Sequence, residues 1–115
     1  MPLLSIILPV YNSDLFVGQA INSLLKQTFR DFELLIIDDG STDRTAAIIS
    51  SFIDQRIKII VNPVNRGIVF SRNRGLRSAS GDFIAQFDAD DVAMPDKFMK
   101  QIRFLQDNPD FGMVG

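Results

Sequence analysis

Four short, almost continuously apolar runs, at residues 3–8, 32–37, 57–61 and 83–87, alternate with longer amphipathic segments. A strand without polar alternation has to be covered on both faces, the condition met in a parallel sheet flanked by helices. Between the first two runs, Leu15, Phe16, Val17, Ala20, Ile21, Leu24 and Leu25 recur at helical spacing. Asn12, Ser13 and Asp14 precede them as N-cap residues, and Lys26 stands at the favourable end of the dipole. A second helix is predicted over about 44–52, burying Ala46, Ala47, Ile49 and Phe52. A third, over 68–79, is weakened by Gly75, which costs about 1 kcal/mol relative to Ala. The last starts near Pro95, a favoured first helical residue. It carries Phe98, Ile102 and Leu105 on one face and is stopped by Pro109. Residues 112–115 resemble the start of another strand. The order β-α-β-α-β-α-β-α-(β) predicts an α/β fold, a mostly parallel sheet with helices on both faces.

The composition narrows the function classes. At 115 residues the chain is one domain or part of one. A net charge of -2 leaves no basic footprint, so nucleic acid is not an expected partner. The absence of Cys and His removes disulfides, thiolate zinc sites and His-based catalysis, and suits a reducing compartment. Residues 3–10 are apolar but too few for a spanning helix of ~20 residues, and no basic segment marks them as a signal peptide. No transmembrane segment is therefore expected in this chain, and its oligomeric state is open.

In sheets of this kind ligands bind outside the carboxyl ends of the strands. The polar residues gather there: Tyr11, the pair Asp38-Asp39, Asn62, Asn65, and the triplet Asp88, Asp90 and Asp91. The triplet is the sharpest signal. Clustered carboxylates repel one another and raise one another's pKa unless a cation intervenes. Hard oxygen ligands suit Mg2+ or Mn2+ bridging to an anion. The bland reading, a solvated loop capping the next helix, calls for fewer carboxylates than three.

The other candidates each have a structural reading beside the functional one. Asp39 has the chemistry to accept from a base N–H or a ribose hydroxyl, or belongs to a βα turn with Gly40 at positive φ. Asp43 fits the turn. Tyr11, the single Tyr, either stacks on a nucleobase or packs on the first helix. Arg suits phosphate through its planar fork, and Arg72 and Arg66 fall nearest the rim. Arg74 and Arg77 are expected to be solvated.

Several of these stretches, in this order, resemble family 2 glycosyltransferases: Ile7-Leu8-Pro9-Val10-Tyr11-Asn12, Gln27-Thr28-Phe29, Phe32-Glu33-Leu34 and Asp38-Asp39-Gly40-Ser41-Thr42-Asp43. So do Asn65-Arg66-Gly67, Arg72-Asn73, Ala79-Ser80-Gly81-Asp82-Phe83-Ile84 and Asp88-Ala89-Asp90-Asp91. The resemblance implies a GT-A fold of Rossmann-like character, a nucleotide-diphospho-sugar donor, most often a UDP-sugar, and inverting transfer to a carbohydrate or lipid-linked acceptor. By position, Pro9 and Tyr11 would line the nucleobase pocket, Asp39 would bond the base with Asp38 beside it, and Arg72 would face the nucleotide. Asp88 and Asp90 would match the DXD motif, contacting ribose and metal, Mn2+ or Mg2+. Asp91 leaves the register open, so either Asp90 or Asp91 would be the main metal ligand. The resemblance also implies polysaccharide biosynthesis in the cytoplasm, with the inner face of the membrane open to the full-length protein.

In that family the catalytic base is a carboxylate later in the chain. Residues 1–115 are therefore expected to be the nucleotide-sugar-binding donor half of a longer domain, with no catalytic base of their own. Asp96 sits in a first helical turn and reads as a dipole partner. A non-catalytic nucleotide-sugar and metal-binding fragment is the alternative. A receiver-type signalling domain is more remote. Its paired acids follow the first strand, where this chain has Pro9-Val10-Tyr11.

Overall fold

A computed structural model describes residues 2–108 and 113–114. The predicted order holds: β1 (Leu4–Val10), α1 (Val17–Leu25), β2 (Phe32–Asp39), α2 (Thr45–Ser50), β3 (Ile57–Asn62), α3 (Ile68–Ser78), β4 (Phe83–Gln86), α4 (Lys97–Asp107) and β5 (Met113–Val114). Pro109, the expected stop of α4, lies outside the described residues. The strands form one sheet in the order β3-β2-β1-β4-β5, and every pair is parallel.

All of β1 and β2 is buried, as their apolar runs require. The pleat divides them with period two. Leu4, Ile6, Leu8 and Val10 join a core with Val17, Ala20, Ile21 and Leu24 of α1, Ile49 of α2, and Phe98 and Ile102 of α4. Ile7, Leu35 and Ile37 turn to the other face and pack with Leu76 of α3. Each such aliphatic side chain contributes roughly 1.5–3 kcal/mol on burial. Helix α3 lies close to this face. A Cβ on Gly75 would stand 2.7 Å from Ile7 Cγ2 and 2.9 Å from Ile37 Cδ1. The glycine that weakens the helix locally is what lets it approach the sheet.

Some local expectations are corrected. Strand β1 does not stop where the apolar run 3–8 meets Pro9. The strand runs on to Val10, with Pro9 in register with Ile37. The carbonyls of Leu3 and Ile7 accept from Phe83 and Phe87, so odd-numbered residues of β1 turn their polar groups toward β4. That pairing ends at Ile7, and the missing N–H of Pro9 points past it. Helix α1 begins at Val17, and no side chain caps it; the Ser13 carbonyl accepts from the N–H groups of Phe16 and Val17. Leu15 and Phe16 are exposed rather than part of the buried stripe. In α2 the buried residues are Thr45 and Ile49, while Ala46 and Ala47 face solvent. Asp38 and Asp39 lie within β2, and both are buried.

Candidate active site at the carboxyl edge of the sheet

Strand β1 is flanked by β2, which follows it, and by β4, which arrives after α3 from the far side. The strand order reverses at this point, and the crevice a parallel sheet offers to ligands opens there. A cavity of about 190 Å3 is lined by Pro9, Val10, Tyr11, Asp39, Asn65, Gly67, Ile68 and Ser71. A wider cleft of about 530 Å3 adjoins it, sharing Pro9, Tyr11 and Ile68 and adding Asn12, Ser13, Phe16, Asp88, Ala89 and Asp90. Tyr11 stays 46% exposed between the two. Its exposure argues against packing on α1.

The loops after β1 and β2 are stitched together. Asn12, at φ 45°, donates its N–H to Ser41 Oγ at 3.0 Å and accepts from the Thr42 N–H at 2.8 Å. The N–H of Ser13 donates to Thr45 Oγ1 and that of Asp14 to Asp43 Oδ2. The expected N-cap residues therefore hold the neighbouring loop instead of a helix, Asn12 with its side chain and Ser13 and Asp14 with their backbone N–H groups. Asp43 accepts from the Thr45 N–H at 2.9 Å, the turn role expected of it.

Asp38 is buried, and its Oδ1 accepts from the Ser41 N–H at 3.1 Å, closing the turn after β2. Gly40 in that turn has φ +73°, and a Cβ there would meet Val64 C at 2.6 Å and Asn65 N at 2.7 Å. Only a glycine lets the β3–α3 loop lie on the turn. Asp39 holds that loop. Its Oδ1 accepts from Asn62 Nδ2 at 2.9 Å and the Arg66 N–H at 2.8 Å, and its Oδ2 from the Gly67 N–H at 2.9 Å. Burial pushes its pKa up, but the donors from Arg66, Asn62, Gly67 and Ser71 outweigh this and hold it below the usual carboxylate range.

Asp88, Asp90 and Asp91 are exposed, each offering one oxygen, with all three oxygens within 4.8 Å of one another. Three carboxylates so placed fit a hard divalent cation, and their exposure leaves room for water or phosphate oxygens. Arg72 Nη2 stands 3.4 Å from Asp88 Oδ1, while Arg72 Nε is buried without a hydrogen-bond partner. The segment after the triplet is pinned to α1. Ser23 Oγ accepts from the Ala93 N–H at 3.0 Å, and buried Gln27 donates to the Met94 carbonyl at 2.6 Å and accepts from the Phe98 N–H at 3.1 Å.

Two arginines behave differently from expectation. The guanidinium of Arg66 stacks over Phe70 at 4.4 Å, so it is the backbone of Arg66 that reaches the site. Arg74, expected to be solvated, is half-buried and bonds Asn62 Oδ1 at 2.6 Å and the Val61 carbonyl at 2.8 Å. Asp96 precedes α4 and is paired with Lys100 at 3.0 Å, which lowers its pKa. Ser71 was not singled out by sequence, and Gln27 entered only within the Gln27-Thr28-Phe29 stretch of the resemblance, without a role of its own. Ser71 had a usable signal, since it lies on the same helical face as Ile68 and Gly75 yet is polar and fully buried.

A parallel sheet with this order, a cavity closed by a strand-end Asp and an acidic triplet across the crevice together have the architecture of a GT-A fold. Residues 5–115 match the family described as Glycosyl transferase family 2, and the chain belongs to that family. An uncharacterized glycosyltransferase of Haemophilus influenzae is 46% identical over 110 residues, 94% of this chain and 44% of that protein. The Escherichia coli UDP-Glc:alpha-D-GlcNAc-diphosphoundecaprenol beta-1,3-glucosyltransferase WfgD is 42% identical over 106 residues, 92% of this chain and 42% of its own length. Among solved structures, S. aureus TarS 1-349 in complex with UDP-GlcNAc superposes with a TM-score of 0.85 at 31% identity, covering 90% of this chain and 31% of that one. The chain thus spans less than half the length of these relatives.

Proposed function

We propose that residues 1–115 are the donor-binding half of an inverting, metal-dependent glycosyltransferase using a nucleotide-diphospho-sugar of the UDP type. The observation that carries this reading is a juxtaposition. The cavity closed by Asp39 and the cleft holding Asp88 and Asp90 share the wall formed by Pro9, Tyr11 and Ile68. A base in the cavity, stacked on Tyr11, directs its diphosphate toward the acidic triplet. Asp88, Asp90 and Asp91 would hold Mn2+ or Mg2+. The bound ion supplies charge neutralisation for the departing diphosphate. Arg72, half-buried beside Asp88, adds a second cation at that edge. Asp38 supports the turn behind Asp39.

The names of TarS in complex with UDP-GlcNAc and of WfgD support a UDP-sugar donor and a carbohydrate or lipid-linked acceptor. A lipid-linked acceptor would bring the protein to the inner face of the membrane from the cytoplasm. Among the described residues no helix is long and apolar enough to cross a membrane. Asp96, committed to Lys100, is not assigned as a catalytic base.

Calorimetric titration with UDP, with and without Mn2+, tests the reading. Wild type should bind UDP in a Mn2+-dependent way, and Asp90→Asn with Asp91→Asn should abolish that dependence while circular dichroism stays unchanged. Mn2+-dependent affinity that survives the double substitution would overturn the metal assignment. UDP binding with no UDP release in the presence of acceptor would identify these residues as a binding module without transfer activity.

A further inference from the structure

Behind Asp39 a chain of polar groups runs out of the cavity to Arg74. Asn62 is 1% exposed and Ser71 fully buried. The Asn62 side chain has one acceptor and one donating end. Arg74 Nη1 only donates and stands 2.6 Å from Asn62 Oδ1, so that oxygen must face Arg74. The amide is thereby oriented with Nδ2 inward, 2.9 Å from Asp39 Oδ1 and 3.1 Å from Ser71 Oγ. Arg74 is itself anchored on the Val61 carbonyl at 2.8 Å.

The consequence lies in what this leaves of Asp39. A carboxylate has about two acceptor sites on each oxygen. Oδ1 takes both the Asn62 amide and the Arg66 N–H, and is full. Oδ2 takes the Gly67 N–H, and of the four donors to this carboxylate only the Ser71 hydroxyl can rotate away to free an acceptor site for a ligand. A ligand that needs both oxygens side by side finds only one of them open. Guanine is such a ligand, because it presents a ring N–H and an adjacent amino group as parallel donors. Uracil presents a single N–H between two carbonyls.

We propose that Arg74, acting through Asn62, is a positioning residue for the nucleotide base: it locks Asp39 with one oxygen closed, so that the cavity takes a uracil-type base and discriminates against guanine. This rests on the nucleotide-donor reading above. Arg74 itself lines neither the cavity nor the cleft. Buried polar groups left unpaired by the wrong ligand are a strong source of such discrimination.

The test is calorimetric titration of the chain with UDP and with GDP in saturating Mn2+, for wild type, Arg74→Ala and Arg74→Lys, with thermal melts alongside. Wild type should prefer UDP. Arg74→Ala should lose roughly three- to tenfold in UDP affinity, as for a charge-assisted hydrogen bond acting at one remove. Its preference for UDP over GDP should narrow. Arg74→Lys, which keeps a donor for Asn62 Oδ1, should recover most of both. Should Arg74→Ala fail to fold, Arg74→Met keeps the apolar stem without the donor and carries the same comparison. If wild type binds neither nucleotide, the donor reading itself fails. If wild type prefers UDP but the Arg74 variants keep the same ratio, with or without a lower melting temperature, the relay is overturned and the donor reading stands. Equal or tighter binding of GDP by wild type overturns the selectivity.

Discussion

Arg72 Nη2 stands 3.4 Å from Asp88 Oδ1, linking α3 to the acidic triplet with both side chains partly in solvent, at 35% and 56% exposure. An ion pair that exposed is worth about 1 kcal/mol or less. Arg72→Ala should therefore leave the melting temperature almost unchanged. It also removes a cation that competes for the triplet, so Mn2+ alone should bind up to roughly fivefold more tightly. UDP affinity in saturating Mn2+ should fall. Calorimetry reads both, and unchanged values for both would remove Arg72 from the site.

Gln27 is 1% exposed and joins α1 to the segment after the triplet through the Met94 carbonyl and the Phe98 N–H. Gln27→Leu keeps the bulk and strands the Phe98 N–H, while the Met94 carbonyl still accepts from the Lys97 N–H. The expected cost is about 1–3 kcal/mol in urea unfolding. Because the segment carries the triplet, Mn2+-dependent UDP binding should weaken more than Mn2+-independent binding. Equal weakening of the two would make Gln27 a stability residue alone.

Glu33 gives a pH dependence far from the site. Burial pushes its pKa up. The Lys58 ammonium at 2.8 Å, the Ser5 hydroxyl and both Ser80 donors overcome this and bring it from 4.5 down to about 2. A carboxylate depressed on folding stabilises the protein above its unfolded pKa, and that contribution is lost as pH falls toward the folded value. The contribution is about 3 kcal/mol at neutral pH. Glu33→Gln should lower stability at pH 7, and its gap from wild type should close between about pH 5 and pH 2. A gap independent of pH in urea titrations would show that the charge of Glu33 is not what stabilises.

Gly75→Ala reverses the usual helix rule. On an exposed helix the change gains up to about 1 kcal/mol. Here the new methyl meets Ile7 and Ile37 below 3 Å. Overpacking of this kind costs about 1–3 kcal/mol, so the melting temperature should drop. A rise would show that α3 has freedom to lift from the sheet.

The parts of this protein that were legible in the sequence are those set by local pattern. Almost continuously apolar runs marked β1, β2, β3 and β4, and the i, i+3, i+4 repeat placed Phe98, Ile102 and Leu105 on the buried face of α4. The carboxyl rim followed from the same alternation, since a parallel sheet places Asp38, Asp39 and the Asp88–Asp91 stretch on one edge. Helix starts were less legible. Asn12, Ser13 and Asp14 have the chemistry of N-caps, yet their partners are Ser41, Thr42, Asp43 and Thr45, about thirty positions away in sequence and adjacent only because β1 pairs with β2.

The sequence by itself determined the layers, the edge that carries the site and the acids that gather there, because burial period and strand-end chemistry are properties of neighbouring residues. Only the tertiary structure decided how those acids are used. Arg74 reads as a solvated helical arginine until β3 brings Asn62 beneath it, and Gln27 has no role of its own until the start of α4 packs against α1. Whether a polar side chain is free or committed depends on which donor stands within 3 Å, and that is set by packing between segments that have no local signature of each other.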